Sequence, residues 1–397
     1  VSGIATRIHV VLVSDQVLAN LIPALMDRPD RVVAVCTHEM ASRGLDRRLQ
    51  TQLKREAIAA EVKSGAPDVG IRQIQEFALQ LAAELDNDHP GAEIVLNATG
   101  GTKLMSLGFV EVFRGLASAI LYTDTAHRRI ELLPNSQGEV TDPLPMTDVL
   151  DVPGYLAAQG FRYQSAVSDD IGWRERSAGR KSASKYLGRS LANPHIQEFV
   201  GVINALADQA LERVPGTDEE RLAEPRQPLR NSPWGDWAKA LAELARAGLV
   251  DWRDGEDQVT FVDAEAALFL RGGWLEEYAW HIVKDGHVHD VRMGVRGVWE
   301  NTQEASNEFD VLACHLNQLL FIECKTLRYR DGNDNEIAYK VDSLGRDARG
   351  LFGETWLLSA REPTEVLVER AGQGRIRIIG PMDLPRLREI VRGWMRP

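Results

Sequence analysis

The chain has 397 residues, 44% of them hydrophobic and 26% charged, a balance that excludes a disordered or fibrous protein and points to roughly two to three globular domains. No apolar run approaches the roughly 20 residues that a membrane-crossing helix needs, and the first strand-like run follows no signal-peptide pattern. The net charge of −12 excludes a surface coated for indiscriminate nucleic-acid binding.

Residues 7–14, RIHVVLVS, form a near-continuous apolar run, as a parallel strand buried on both faces requires. Helical spacing follows over 17–28, a second strand over 31–38 and an amphipathic helix over 42–62. Residues 69–74 read as a short strand and 75–86 as a helix. A buried strand at 92–99 leads into a helix over 102–116, and 118–124 and 129–134 close the domain as two strands. This alternation predicts a doubly wound α/β domain over 1–150.

From 135 to about 190 the sequence reads as connection with a short helix or two. Within it, residues 161–190 hold seven Arg/Lys against three Asp/Glu, a local surplus of +4. Residues 195–213 are helical and a proline-rich loop follows. Residues 233–267 give a helix, a Gly248 stop and a hairpin turned at Asp-Gly, the pattern of a winged-helix element that joins domains or touches DNA. We read 151–267 as a connector. Over 268–397 come a helix at 269–285, a strand at 288–299, a hairpin at 308–325, a helix at 336–350, strands at 355–360 and 375–380, and a last helix at 383–395.

Two motifs carry chemistry. The first is NATGGTKLM (97–105), where a buried strand turns into a helix. Its glycines permit a sharp turn and close backbone approach, the helix start attracts anions and Lys103 adds a charge. Asn97, Thr99, Gly100, Gly101, Thr102 and Lys103 are therefore candidate contacts for a phosphodiester. Ser14, Asp15 and Gln16 leave the first strand at the same sheet edge. Neither a Walker loop nor G-x-G-x-x-G is present.

The second motif is NEFDVLACHLNQLLFIECKT (307–326). Side chains alternate along a strand, so Glu308 and Asp310 share one face, as do Glu323 and Lys325. A turn near 316–318 brings Asp310 toward Glu323 and Lys325. Crowded carboxylates repel unless a cation sits among them. Mg²⁺ or Mn²⁺ takes such an oxygen shell and activates water, and Lys325 suits the charge on an attacked phosphate. Cys36, Cys314 and Cys324 lack metal-site spacing and read as small buried hydrophobes of a reducing cytoplasm. His281, His287 and His289 straddle a Gly turn and read as structural or surface residues.

NATGGTKLM together with the Ser-Asp-Gln loop resembles the CRISPR-associated Rossmann-fold sensor domain. That resemblance implies a homodimer binding a cyclic oligoadenylate across its twofold axis, the tetramer in preference to the hexamer. It also places Ser14 and Lys103 where some relatives cleave their own ligand. D-x₁₂-E-x-K on a hairpin resembles the PD-(D/E)xK restriction-endonuclease-like superfamily. GGWLEEY (272–278) strengthens that match, because relatives place a helix Glu at the metal site; Glu276 or Glu277 qualifies, and G-x-W-L-E favours Glu276. The resemblance implies a metal set of Glu276, Glu308, Asp310 and Glu323, with Lys325 and Lys340 serving the phosphate. Phe309 stands where a Pro is usual. Both domains in one chain resemble the ancillary nucleases of type III CRISPR systems, which implies a cytoplasmic antiviral nuclease for DNA, RNA or both, switched on by cyclic tetra-adenylate. The competing expectations are a winged-helix regulator with an inactive nuclease domain and a ligand-independent repair or restriction nuclease.

Overall fold

The computed structural model describes residues 5–396 except 126, 135, 218, 303–305 and 327–332, and the backbone alone of 333–338. Runs rich in β-branched residues can hide both faces only inside a covered parallel sheet. β1 (Arg7–Leu12) and β2 (Arg31–Cys36) accordingly sit side by side, with α1 (Val17–Asp27) between them in sequence. The chain continues through α2 (His38–Ser42), α3 (Leu45–Arg55), β3 (Ala59–Ser64), α4 (Ile71–Asp88), β4 (Glu93–Asn97), α5 (Lys103–Phe113), β5 (Ala119–Asp124), β6 (Arg129–Leu132) and β7 (Leu144–Pro145). Sheet order is β3-β2-β1-β4-β5-β6-β7, parallel from β3 to β5. The winding reverses between β1 and β4, so a crevice opens at their carboxyl ends.

Two expectations here are corrected. The helix expected over 42–62 ends at Arg55, and 59–64 form an edge strand instead. Its AAEVKS sequence favours a helix locally, but tertiary pairing wins: the strand lies beside β2, with Glu61 reaching Arg31 of β2 and Lys63 reaching Glu84 of α4. The short strand expected at 69–74 is the start of α4, which begins after Gly70 at φ 78°.

α6 (Val152–Ala158) leads into β8 (Phe161–Ala166), α7 (Ile171–Ser190) and α8 (Pro194–Ala210). The segment expected to be mostly connection thus holds a strand and a 20-residue helix. The buried stripe of α7 includes Ser177, Arg180 and Ser184, so its hydrophobic periodicity is faint. β9 (Leu211–Arg213) pairs with β10 (Glu220–Leu222). β11 (Arg226–Pro228), α9 (Asp236–Arg246), β12 (Val250–Asp251) and β13 (Gln258–Phe261) complete a winged-helix-like unit whose sheet order is β11-β13-β12.

The expected single helix at 269–285 is two pieces, a wide π turn (Phe269–Gly273) and α11 (Trp274–Lys284), and α10 (Ala264–Leu268) runs into them. Gly272 permits the break, and Asn204 and Thr326 hydrogen-bond the Arg271 carbonyl exposed there. β14 (Asp290–Trp299), β15 (Asn307–His315) and β16 (Gln318–Lys325) form an antiparallel meander, followed by α12 (Asn333–Arg349), β17 (Gly353–Ser359), α13 (Glu365–Gln373), β18 (Ile376–Ile379) and α14 (Leu387–Met395). The order β18-β17-β16-β15-β14-β8 makes β8 an edge of this second sheet. Val311, Ala313, Leu320 and Ile322 pack in the core that holds α11, whereas Leu312, Leu319 and Phe321 join a core shared with α1, α6 and α12.

The β15–β16 turn ties the two domains. Leu316 and Asn317 both have positive φ, as a two-residue I′ hairpin turn requires. Asn317 is wholly buried; its Oδ1 accepts from Val149 N at 3.0 Å and its Nδ2 donates to the Thr147 carbonyl at 2.6 Å. Asn317→Ala leaves both backbone groups unpaired, and urea titration should show a loss of about 1–3 kcal/mol.

Candidate functional site

The crevice of the first domain receives both sequence-predicted loops. Gly100 lies so close to β1 that an added Cβ would stand 1.8 Å from the Leu12 carbonyl oxygen, and Gly101 has φ +69°. Thr102 caps α5 by accepting from Met105 N at 3.2 Å, which leaves Lys103 exposed on the first turn. Asp15 is exposed and ion-paired to Arg43 at 2.5 Å. Gln16 makes no side-chain cap at the start of α1, where Ala19 N–H donates to the Gln16 carbonyl at 3.1 Å. Asn97 and Thr99 both bond within the protein. Asn97 is fully buried, donating to the Ala19 carbonyl and accepting from the backbone N–H and hydroxyl of Thr99. Thr99 in turn accepts from Thr123 N at 2.7 Å. These two side chains brace the loop from within, while Ser14 and Gln16 are partly exposed and Lys103 is exposed beside it.

In the second domain, the carboxylates gather where the β15–β16 ladder ends. Glu323 is almost wholly buried and accepts from Lys325 Nζ at 2.6 Å. Asp310 accepts from the Cys324 backbone N–H at 2.7 Å, locking the two strands where their own pairing stops. Glu276 enters from the first turn of α11 and makes no hydrogen bond or ion pair among the described residues. Burial, then the charges of Asp310, Glu308 and Glu323, raise its pKa well above the carboxylate range against the pull of Lys325. Burial and then Glu323 push Asp310 up to about 7, opposed by Lys325 and the Cys324 N–H. Burial lowers Lys325, but Glu323 and Asp310 outweigh it and its pKa ends above the ordinary lysine value. Glu308 stands at the rim, half-exposed and 3.2 Å from Arg296 on β14. Lys340 is exposed on α12, which packs on β16 and β17.

Glu276 and Glu277 differ in their packing. Glu277 is buried and doubly hydrogen-bonded by Arg180 of α7, and Ser177 donates to it at 2.8 Å. It is spent on the α7–α11 contact, one helical step from Glu276. His281 belongs to the same network: its Nε2 lies 3.0 Å from Ser177 Oγ, and burial, then Lys181, lower its pKa to about 4. The three cysteines are buried and free. No signal in the sequence marks Arg180, because its partner lies 97 residues away.

The donor set around Lys325 is all oxygen and short of positive charge, which fits a hard divalent cation. As placed, no group of three or more His, Cys, Asp or Glu among the described residues converges at metal-holding distance. Residues 8–155 match the model of the Card1 CARF domain, and residues 263–397 match the Card1-like endonuclease domain. The chain is a Card1-type pairing of a CARF domain with an endonuclease domain. A comparison with curated proteins returned no match. Among solved structures, protein VC1899 from Vibrio cholerae is similar over 98% of each chain at 22% identity and TM-score 0.80. Can2 from Sulfobacillus thermosulfidooxidans, solved in complex with cyclic tetra-adenylate, is similar over 98% of this chain and 100% of its own, at 24% identity and TM-score 0.69. A type III CRISPR defence DNA nuclease activated by cyclic oligoadenylate matches 90% of this chain and 46% of its own, at 18% identity and TM-score 0.51.

In the winged-helix-like unit between these domains, Lys239 and Arg246 of α9 are paired with Asp236 and Glu243, which suits a joining element better than a DNA-reading face. Among the described residues, no helix is long and apolar enough to cross a membrane.

The carboxylates of the endonuclease domain set a pH dependence. Between the ordinary Asp value of 3.8 and about 7, the folded metal-free protein holds a proton on Asp310 that the unfolded chain has released. That group's contribution to stability therefore falls as pH rises through this window and stays low above it. Thermal melts of metal-free Asp310→Asn should run close to wild type at pH 4 and above it by several degrees at pH 8; a pH-independent difference would exclude the raised carboxyl. Arg180→Met leaves Glu277 buried without its cation, and denaturant melts should show a loss of about 3–5 kcal/mol.

Proposed function

We propose that this chain is a metal-dependent endonuclease of type III CRISPR defence, switched on when a cyclic oligoadenylate occupies the CARF crevice. The observation that carries the reading is the under-neutralised set of Glu276, Asp310 and Glu323 around Lys325 in a domain that matches an endonuclease. These three carboxylates would hold Mn²⁺ or Mg²⁺, and Glu308 joins them on giving up Arg296. The ion supplies a water of lowered pKa and charge neutralisation at the phosphate. Lys325 donates to the phosphate oxygens and holds charge as it builds up during attack, while Glu323 fixes the direction of the ammonium. Lys340, exposed on α12, reaches toward a neighbouring phosphate of the strand. DNA, RNA or both are the substrates.

The activator is a cyclic tetra-adenylate. Can2, similar along its whole length, was solved with that ring, and here the free N–H groups of α1 and α5, with Lys103, meet phosphates at the switch point. Two copies of the chain flank the ring. Beside the crevice, the exposed Val69, Ile71, Leu104 and Leu107 form an apolar face that a second copy covers. Leu107→Glu should therefore shift the mass by light scattering from dimer toward monomer.

Cleavage of labelled single-stranded DNA, single-stranded RNA and plasmid, with and without Mn²⁺ and cyclic tetra-adenylate, tests the whole reading. Ligand-independent cutting would sink the switch, and no cutting on any substrate would sink the nuclease. Glu323→Gln should lower cleavage by at least 100-fold and leave ligand affinity unchanged by calorimetry. Lys103→Ala should weaken ligand binding about tenfold and spare cleavage at saturating ligand.

A further inference from the structure

The basic surplus of residues 161–190 lies mostly on α7, arranged in two stripes. Ser177, Arg180 and Ser184 face α11. Arg174, Lys181 and Lys185 recur at offsets of seven and eleven residues and form a second stripe along the edge of that contact. Opposite them stand the end of α11, with Lys284 and Asp285, and Arg388 from α14. Lys181 and Lys185 each place Nζ 2.7 Å from one oxygen of Asp285, and Arg388 lies 3.5 Å from it. One carboxylate is thus shared among three cations.

The remaining two positive charges make no ion pair among the described residues. Arg174 is exposed without an ion pair among the described residues, and exposed Lys284 lies over the Trp280 ring at 4.4 Å. Burial first, and then the neighbouring Arg174 and Lys181, lower the Lys284 pKa against the pull of Asp285. Holding Asp285 in place needs one lysine. Five cations on one acid repel each other, and in a chain of net charge −12 such a concentration serves an anion from outside.

Position identifies the anion. α11 carries Glu276 in its first turn and Lys284 in its last, a separation of about 12 Å along the helix axis. A nucleic-acid strand carries a phosphate about every 3.4 Å of axis, so a strand with one phosphate at Glu276 reaches the patch within three or four nucleotides. We propose that Arg174, Lys181, Lys185, Lys284 and Arg388 form a sequence-independent backbone site that holds the substrate strand away from the bond being cut. The inference rests on the nuclease reading for its substrate. The patch grips phosphates by charge alone, so its contribution falls steeply with salt.

Fluorescence anisotropy of a labelled single-stranded DNA oligonucleotide on the full chain, without metal and across a salt series, tests it. Arg174→Gln/Lys284→Gln removes two exposed charges with no ion pair to lose, so the fold should hold. Its Kd should rise several-fold at low salt, and the log–log salt slope should fall by about 0.7 for each phosphate no longer neutralised. Lys181→Gln/Lys185→Gln, with its melting temperature checked, should act the same way. Unchanged affinity and slope in both variants, or no salt-dependent binding by wild type, would overturn the proposal. The nuclease reading is judged apart, by cleavage with Mn²⁺: Arg174→Gln/Lys284→Gln should raise KM and spare kcat. Intact cutting with an unchanged KM overturns the patch and leaves the nuclease. Patch-dependent binding without cutting leaves the patch and removes the nuclease.

Discussion

A carboxylate taken out of water costs several kcal/mol unless positive charge stands beside it, and the endonuclease domain is organised around that cost. Glu277 meets it in full, with Arg180 in a bidentate contact and Ser177 as a further donor. That pair fixes the rotation of α11 about its axis and thereby aims the neighbouring Glu276 at the end of the hairpin. Glu276, Asp310 and Glu323 meet the cost only in part, because Lys325 is one charge among three. One buried acid is satisfied and holds the scaffold; the others are left short of positive charge.

The two domains share apolar core. One continuous cluster runs from Val11 and Leu18 through Tyr155 and Leu156 of α6 to Phe309, Leu319 and Phe321 on the hairpin strands. Polar ties reinforce it: Asn317 binds residues 147 and 149, Arg48 binds Glu300, and Arg128 reaches the Trp394 carbonyl at the end of α14. α1, whose N-terminus faces the crevice, packs directly on α3 and α6. A pocket of about 160 Å³ lies at this joint between α1, α3, α6 and His289. A ligand acts through such a joint only as far as it binds one packing better than the other.

Legibility in the sequence followed burial. Strands hidden on both faces announce themselves, so β1, β2, β4, β15 and β16 are readable as apolar runs, and the Gly-Gly-Thr-Lys loop marks its own turn. Edge strands and polar interfaces do not. β3 carries helix-favouring residues, β8 is mostly polar, and α7 buries serines and an arginine where an apolar stripe would be visible.

The sequence by itself determined the chemistry that was available: carboxylates and a lysine at alternating strand positions, and an anion-favouring glycine turn. These follow from the period of a strand and the steric freedom of glycine, which are local properties. Only the tertiary structure decided how each residue is employed. It turned Asn97 and Thr99 inward, spent Glu277 on Arg180, left Glu276 facing the hairpin and drew Glu308 toward Arg296. Those choices depend on partners far away in the chain, and a charge is satisfied or left wanting only once the fold has brought its neighbours to it.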